Sequence, residues 1–225
     1  MPRDHVAPFP LASNMRFAKG VLLLEDFSGA NRWETISGVG DLAVERINTD
    51  YDTPTHCLSI KSRTTAAANL DLVTVGLPCT YPESDIITVR GKWKTAAPAT
   101  ASLITIDIRA YNGSTLVNPR LLWDLTNTRI QYYNAALSHT PIPEMDPGPA
   151  LGVWDTWEIT FNLKAAQYIS ALASGIRKDL SGIPIATSGV ESDRKVLIYL
   201  TTLANASAPS TVLFDSIYAG EYTNI

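Results

Sequence analysis

Two cysteines and three histidines are the whole supply of thiol and imidazole metal ligands in this 225-residue chain. Cys57 and Cys79 stand in no metal-binding or redox spacing, and two reduced, buried thiols are favoured over a disulfide. His5, His56 and His139 lie in a proline-rich start and two turn regions, outside any His-Glu-x-x-His pattern. No Gly-x-Ser-x-Gly elbow presents a nucleophile, and Gly38-Val39-Gly40 lacks the remainder of a nucleotide fingerprint. Basic charge is short as well. Eighteen Lys and Arg against 22 Asp and Glu leave a net charge of −4, which argues against a phosphate-reading surface and a nucleic-acid partner. The densest basic pair, Arg177-Lys178, sits beside Asp179 and reads as a solvated turn.

Long apolar runs are missing too. None approaches the roughly 20 residues that cross a bilayer, so neither a transmembrane segment nor membrane insertion is expected. The opening MPRDHVAPFPLASNMRFAKG carries prolines at 2, 8 and 10 and an acid at Asp4, and does not read as a secretion signal. For that reason the glycosylation pattern at Asn205-Ala-Ser207 is taken as chance. Residues 1–19 are expected to form an extended arm, lying on the chain's own sandwich or on a neighbouring subunit.

What is present is alternation. Hydrophobic content of 45% against 18% charged residues fits a folded chain rather than a disordered one. From Trp157 onward, Trp157, Ile159, Phe161 and Leu163 share one face, with Glu158, Thr160, Asn162 and Lys164 on the other. That is a strand with one side in a core. The next segment has two readings. Ile169, Leu172, Ala173, Ile176 and Leu180 fit helical spacing, yet residues 168–173 also alternate and Ser174-Gly175 signals a hairpin. A second strand is favoured.

Short strands of the same kind recur throughout. They are read at 21–27, around Trp33 and Ile36, at 42–47, 57–61 and 70–75, and at 86–94 with Ile87, Val89, Gly91 and Trp93 on one side. Further strands cover 104–109, 116–123, 129–133, 196–200 and 212–218. Asn112-Gly113 is the strongest hairpin signal, of the type I′ kind, and residues 139–150 read as a patternless proline-rich loop. About a dozen strands without a convincing long helix predict an all-β, antiparallel two-layer sandwich or barrel. With no internal repeat or long linker, residues 20–225 are expected to form one domain.

Three stretches carry a resemblance. LLLEDFSGANRWE (22–34), WDTWEITFNLKAAQYISALASG (154–175) and TVLFDSIYAGE (211–221) resemble segments of concanavalin-like, carbohydrate-binding jelly rolls. The resemblance implies a jelly-roll β-sandwich. It also implies a structural Ca²⁺ at Asp26 and Asp215, with Glu25 beside them. Glucan-cutting members carry Glu-x-Asp-x-Glu on one strand, and this sequence has no such run. Asp155 with Glu158, and Glu25 with Asp26, point to opposite faces, so no catalytic residue is assigned and no enzyme is expected.

Glycan binding needs exposed aromatic faces beside amides. The best local cluster is Trp123, Tyr132, Tyr133 and Asn134, with Asn127 close by. Against it stands the simpler role of the tryptophans as core. A lectin-like sandwich without export signal or catalytic set must reach its target another way. The expectation is therefore a non-enzymatic phage virion component, capsid-decorating or fibre-associated, with homo-oligomer or virion partners. A stand-alone module for a cell-surface glycan is the alternative, and a polysaccharide-degrading enzyme the third reading.

Overall fold

The computed structural model describes residues 21–27, 33–37, 43–49, 51–52, 56–61, 72–79, 82–95, 101–145, 152–189, 194–204 and 210–221. The arm over 1–19, Gly38-Val39-Gly40 and Asn205 to Ser207 lie outside them. The strands are β1 (Val21–Glu25), β2 (Glu34–Ser37), β3 (Ala43–Ile47), β4 (Cys57–Lys61), β5 (Leu72–Cys79) and β6 (Ile86–Thr95). Next come β7 (Ala101–Asn112), β8 (Leu116–Val117), β9 (Arg120–Asp124), β10 (Arg129–Tyr133), β11 (His139–Pro141) and β12 (Asp155–Asn162). The last are β13 (Gln167–Ala173), β14 (Ile176–Asp179), β15 (Thr187–Ser188), β16 (Arg194–Ala204) and β17 (Thr211–Glu221).

Two antiparallel sheets result, stacked as an all-β sandwich. The first runs β14-β13-β12-β6-β17-β4-β3, with β1 also on β17. The second runs β11-β10-β9-β7-β16-β5-β2, with β8 and β15 at its side. Period-two alternation explains the layering, since it turns one side of every strand into the space between the sheets. Ile87, Val89, Trp93, Trp157, Ile159, Phe161 and Phe214 from the first sheet meet Ile104, Ile106, Ile108, Leu121, Trp123, Ile198 and Leu200 from the second. Trp93 and Trp123 touch edge to face across the layer, ring centres 5.7 Å apart.

A polar strut also joins the layers. Tyr168 on β13 is fully buried; its hydroxyl donates to the Tyr133 carbonyl at 2.7 Å and accepts the Arg120 N–H at 3.1 Å. Burial pushes this phenol's pKa up, so it stays a neutral donor. Cys57 is fully buried on β4. Among the described residues no helix is long and apolar enough to cross a membrane.

The second strand favoured from sequence is present: β13 and β14 pair across Ser174 and Gly175, which both take positive φ (49° and 74°), as a type I′ hairpin needs. Other local expectations change. At the other hairpin the turn is shifted by one residue. Only Gly113 has positive φ (93°), the Asn112 N–H bonds the Thr115 carbonyl, and the Asn112 side chain accepts the Ser114 and Thr115 N–H groups. Positive φ at the first central residue alone is the II′ pattern, with Gly113-Ser114 at the centre.

The strand expected at 116–123 breaks into β8 and β9 around Asn118-Pro119, because proline has no N–H to continue the ladder. Residues 139–145 are not patternless. They open with β11 on β10 and bury Ile142 and Met145. Arg177 and Lys178 lie within β14 rather than in a turn.

Candidate functional site

The outer face of the first sheet holds a groove of about 750 Å³. Five neighbouring strands, β14, β13, β12, β6 and β17, line it. On β6 the outward positions are Ile86, Thr88 and Arg90; on β12 they are Glu158 and Thr160. These follow from simple alternation, since Ile87, Val89, Trp157, Ile159 and Phe161 are all fully buried on the inside.

The remaining residues depend on two register slips. On β17, Asp215 pairs with Lys92 and Tyr218 with Arg90, so Ser216 and Ile217 together oppose Gly91. Ser216 takes positive φ (53°) in this bulge. The inserted residue reverses the parity of the strand: Val212 and Phe214 face inward before it, and Ile217 and Ala219 after it. Tyr218 is thereby turned outward beside Arg90. On β13 the slip falls between Ser170, opposite Thr160, and Tyr168, opposite Phe161. Tyr168 stays in the core while Ile169 and Ser170 both line the groove.

The polar groups are paired with one another. Arg177 on β14 donates to Glu158 at 2.7 Å and to the Ser170 hydroxyl at 3.3 Å. The Thr88 and Thr160 hydroxyls lie 3.0 Å apart. The Arg90 guanidinium stands 4.8 Å from the centre of the Tyr218 ring, a cation–π contact. Glu221 closes one end by accepting the backbone N–H of Ser84 at 2.6 Å and that of Glu83. Beyond the groove, β6 continues with Lys92, paired to Asp52, and Lys94, 5.2 Å from the ring of Trp154. A sheet face bearing hydroxyls, two arginines, two glutamates and a tyrosine can hydrogen-bond, neutralise a carboxylate and move a proton.

The aromatic cluster expected from sequence is not a single site. Trp123 is fully buried and offers no face to a sugar, which corrects its assignment. Its position on β9 opposite Ile104 puts it in the inner layer. Tyr132 also turns inward, meeting Tyr168 edge to face at 5.6 Å. Tyr133 turns outward on the second sheet, under Arg120 at 4.4 Å and beside His139 at 5.0 Å. Asn134 spends its amide on its own loop, accepting from Ala136 and Ser138 and donating to Thr140. Burial holds the pKa of His139 low, with Arg120 adding to the effect and Asp107 opposing it.

The pair Asp26 and Asp215 is divided between surface and interior. Asp26 is exposed at the end of β1. Asp215 is fully buried; its carboxylate accepts the Asp52 N–H at 2.9 Å and lies 3.3 Å from the Ser216 hydroxyl. Glu25 accepts the Phe27 N–H. Among the described residues no three His, Cys, Asp or Glu side chains gather closely enough to hold an ion.

No protein-family model matches the chain, and no curated protein does so by sequence. Solved structures do share its fold. The endo-β-1,4-glucuronan lyase of the fungus Trichoderma reesei aligns with a TM-score of 0.59 at 9% identity, over 85% of this chain and 92% of that one. The β-glucanase of Bacillus licheniformis aligns at 0.52 and 11% identity, over 92% and 100%. The CBM2 module of the evolved Dit of Lactobacillus casei BL23 phage J-1 aligns at 0.51 and 11%, over 92% and 98%. The concanavalin-like jelly roll expected from the three sequence stretches is therefore the fold of this chain. These likenesses also correct the expectation that the chain is no enzyme. A lyase and a glucanase are built on the same sandwich, so the missing Glu-x-Asp-x-Glu run does not exclude catalysis.

Proposed function

We propose that the groove on the outer face of the first sheet binds a polysaccharide. The observation that carries this reading is the convergence of Arg90, Tyr218, Glu158 and Arg177 with three hydroxyl side chains on one sheet face. A sugar polymer needs alternating donors and acceptors for its hydroxyls and an apolar strip for its ring faces. Thr88, Thr160, Ser170 and Glu158 supply the first; Ile86, Ile169 and the Tyr218 ring supply the second. A virion setting, in which copies of the chain or other virion proteins present this face to a host-surface glycan, draws support from the phage J-1 module of the same fold.

The Arg90–Tyr218 contact favours a second reading, cleavage of a uronate polymer by β-elimination. Arg90 would hold the uronate carboxylate. Tyr218 would pass the C5 proton to the departing O4 as the C4–O4 bond breaks and the C4=C5 double bond forms. The glucuronan lyase of the same fold supports this reading.

Native gels cast with β-glucan, xylan, alginate or glucuronan test both. Retardation in at least one gel, weakened in Arg90→Ala, is the expected result, and an unsaturated uronate product would identify the second reading. Unhindered migration in every gel, with no product, would overturn the proposal.

A further inference from the structure

The outer face of the second sheet carries three cation–tyrosine stacks with no part in the groove. The Arg120 guanidinium lies 4.4 Å from the Tyr133 ring centre, that of Arg109 lies 4.5 Å from Tyr199, and Lys195 Nζ lies 4.9 Å from Tyr111. They stand on four successive strands, β10, β9, β7 and β16. The register makes them one surface: Asp107 lies opposite both Arg120 and Tyr199, and Tyr111 opposite Lys195. Three inter-strand steps of about 4.8 Å put its ends roughly 15 Å apart, room for an oligomer rather than a single sugar.

Its charge opposes that of the whole molecule. Arg109, Arg120 and Lys195 against Asp107 give a formal excess of two positive charges, on a chain of net −4. Asp107 is buried at 7% exposure, held by Asn118 and by Arg120 at 3.1 Å, so it sits beneath the surface it balances. The Arg109 side chain is 44% exposed. A guanidinium fork matches the geometry of a carboxylate, and the adjoining ring planes suit pyranose faces. The geometry points to a second binding surface, for an acidic polysaccharide, on the sheet opposite the groove. A nucleic-acid strand fits less well, because the cations form a compact patch on an acidic protein instead of a stripe.

The test uses the full chain, ¹⁵N-labelled, with the groove silenced by Arg90→Ala and Tyr218→Ala, titrated with an alginate hexamer. Amide shifts on β7, β9 and β16 are expected. Adding Arg109→Gln and Lys195→Gln should weaken binding roughly tenfold, the loss of about 1.4 kcal/mol, with the rest of the spectrum unchanged. Shifts absent from this face overturn the inference. An equal response to a neutral β-glucan hexamer, or a stronger one to a single-stranded oligonucleotide, does the same. Failure of the groove reading shows separately, as wild-type affinity that silencing the groove leaves intact.

Discussion

Tyr218 lies across Gly220. Its Cε1 is 2.8 Å from the point where a Cβ on that glycine would stand, and its hydroxyl is nearer still. The glycine is a bare seat that lets the ring lie along the sheet beside Arg90. Because the obstructing atoms are the far end of a half-buried side chain, Gly220→Ala should displace the ring rather than unfold the sheet. The expected result is a stability change within about 1 kcal/mol by thermal melting, together with weakened polysaccharide retention. Unchanged retention would mean that the seated ring does not matter to the groove.

Gly91 behaves differently. A Cβ there would stand 2.7 Å from Trp157 Cζ2 and 3.2 Å from Ile217 Cγ1, inside the core. Trp157 is fully buried and has nowhere to move. Gly91→Ala should cost about 1–3 kcal/mol, read in urea as a lower midpoint with an unchanged slope.

The strut at Tyr168 predicts a cost of another kind. Tyr168→Phe keeps the ring but leaves the Arg120 N–H and the Tyr133 carbonyl without this hydroxyl. An unpaired buried polar group costs about 1–3 kcal/mol. Amide exchange of Arg120 should quicken more than that of its neighbours on β9.

Asp155 sets a pH dependence. Burial raises its pKa, opposed by its hydrogen bonds from Ser174 and Thr156 and by the Trp123 indole. In the window from the ordinary aspartate value of about 4 up to its raised folded value, the folded state holds the proton longer than the unfolded one. Stability therefore falls as pH rises through that window. Asp155→Asn should flatten this part of the profile in denaturant titrations at successive pH values, and an unchanged profile would contradict the assignment.

The sandwich was legible in sequence because alternation alone decides which side of a strand is wet. Arg90, Glu158 and Thr160 were correctly read as outward for that reason. Tyr218 and Ser170 escaped because each lies next to a register slip that strict period two cannot see. A trace of the first slip is present: Asp215-Ser216 sets two polar residues side by side in the apolar run 212–219. Three charges in a row, Arg177-Lys178-Asp179, suggest a solvated turn, whereas the hairpin at Ser174-Gly175 carries them as its return strand. Trp123 failed for another reason, since proximity in sequence to Tyr133 says nothing of which face a ring takes.

Calorimetric titration of the wild type and of the Arg90→Ala, Tyr218→Ala double variant tests the central claim most directly. The ligand is an oligomer of whichever polysaccharide the gels select. Saturable binding by the wild type, lost by roughly tenfold or more in a variant of equal melting temperature, is the predicted result. Equal affinity in the two proteins would place recognition elsewhere on the molecule.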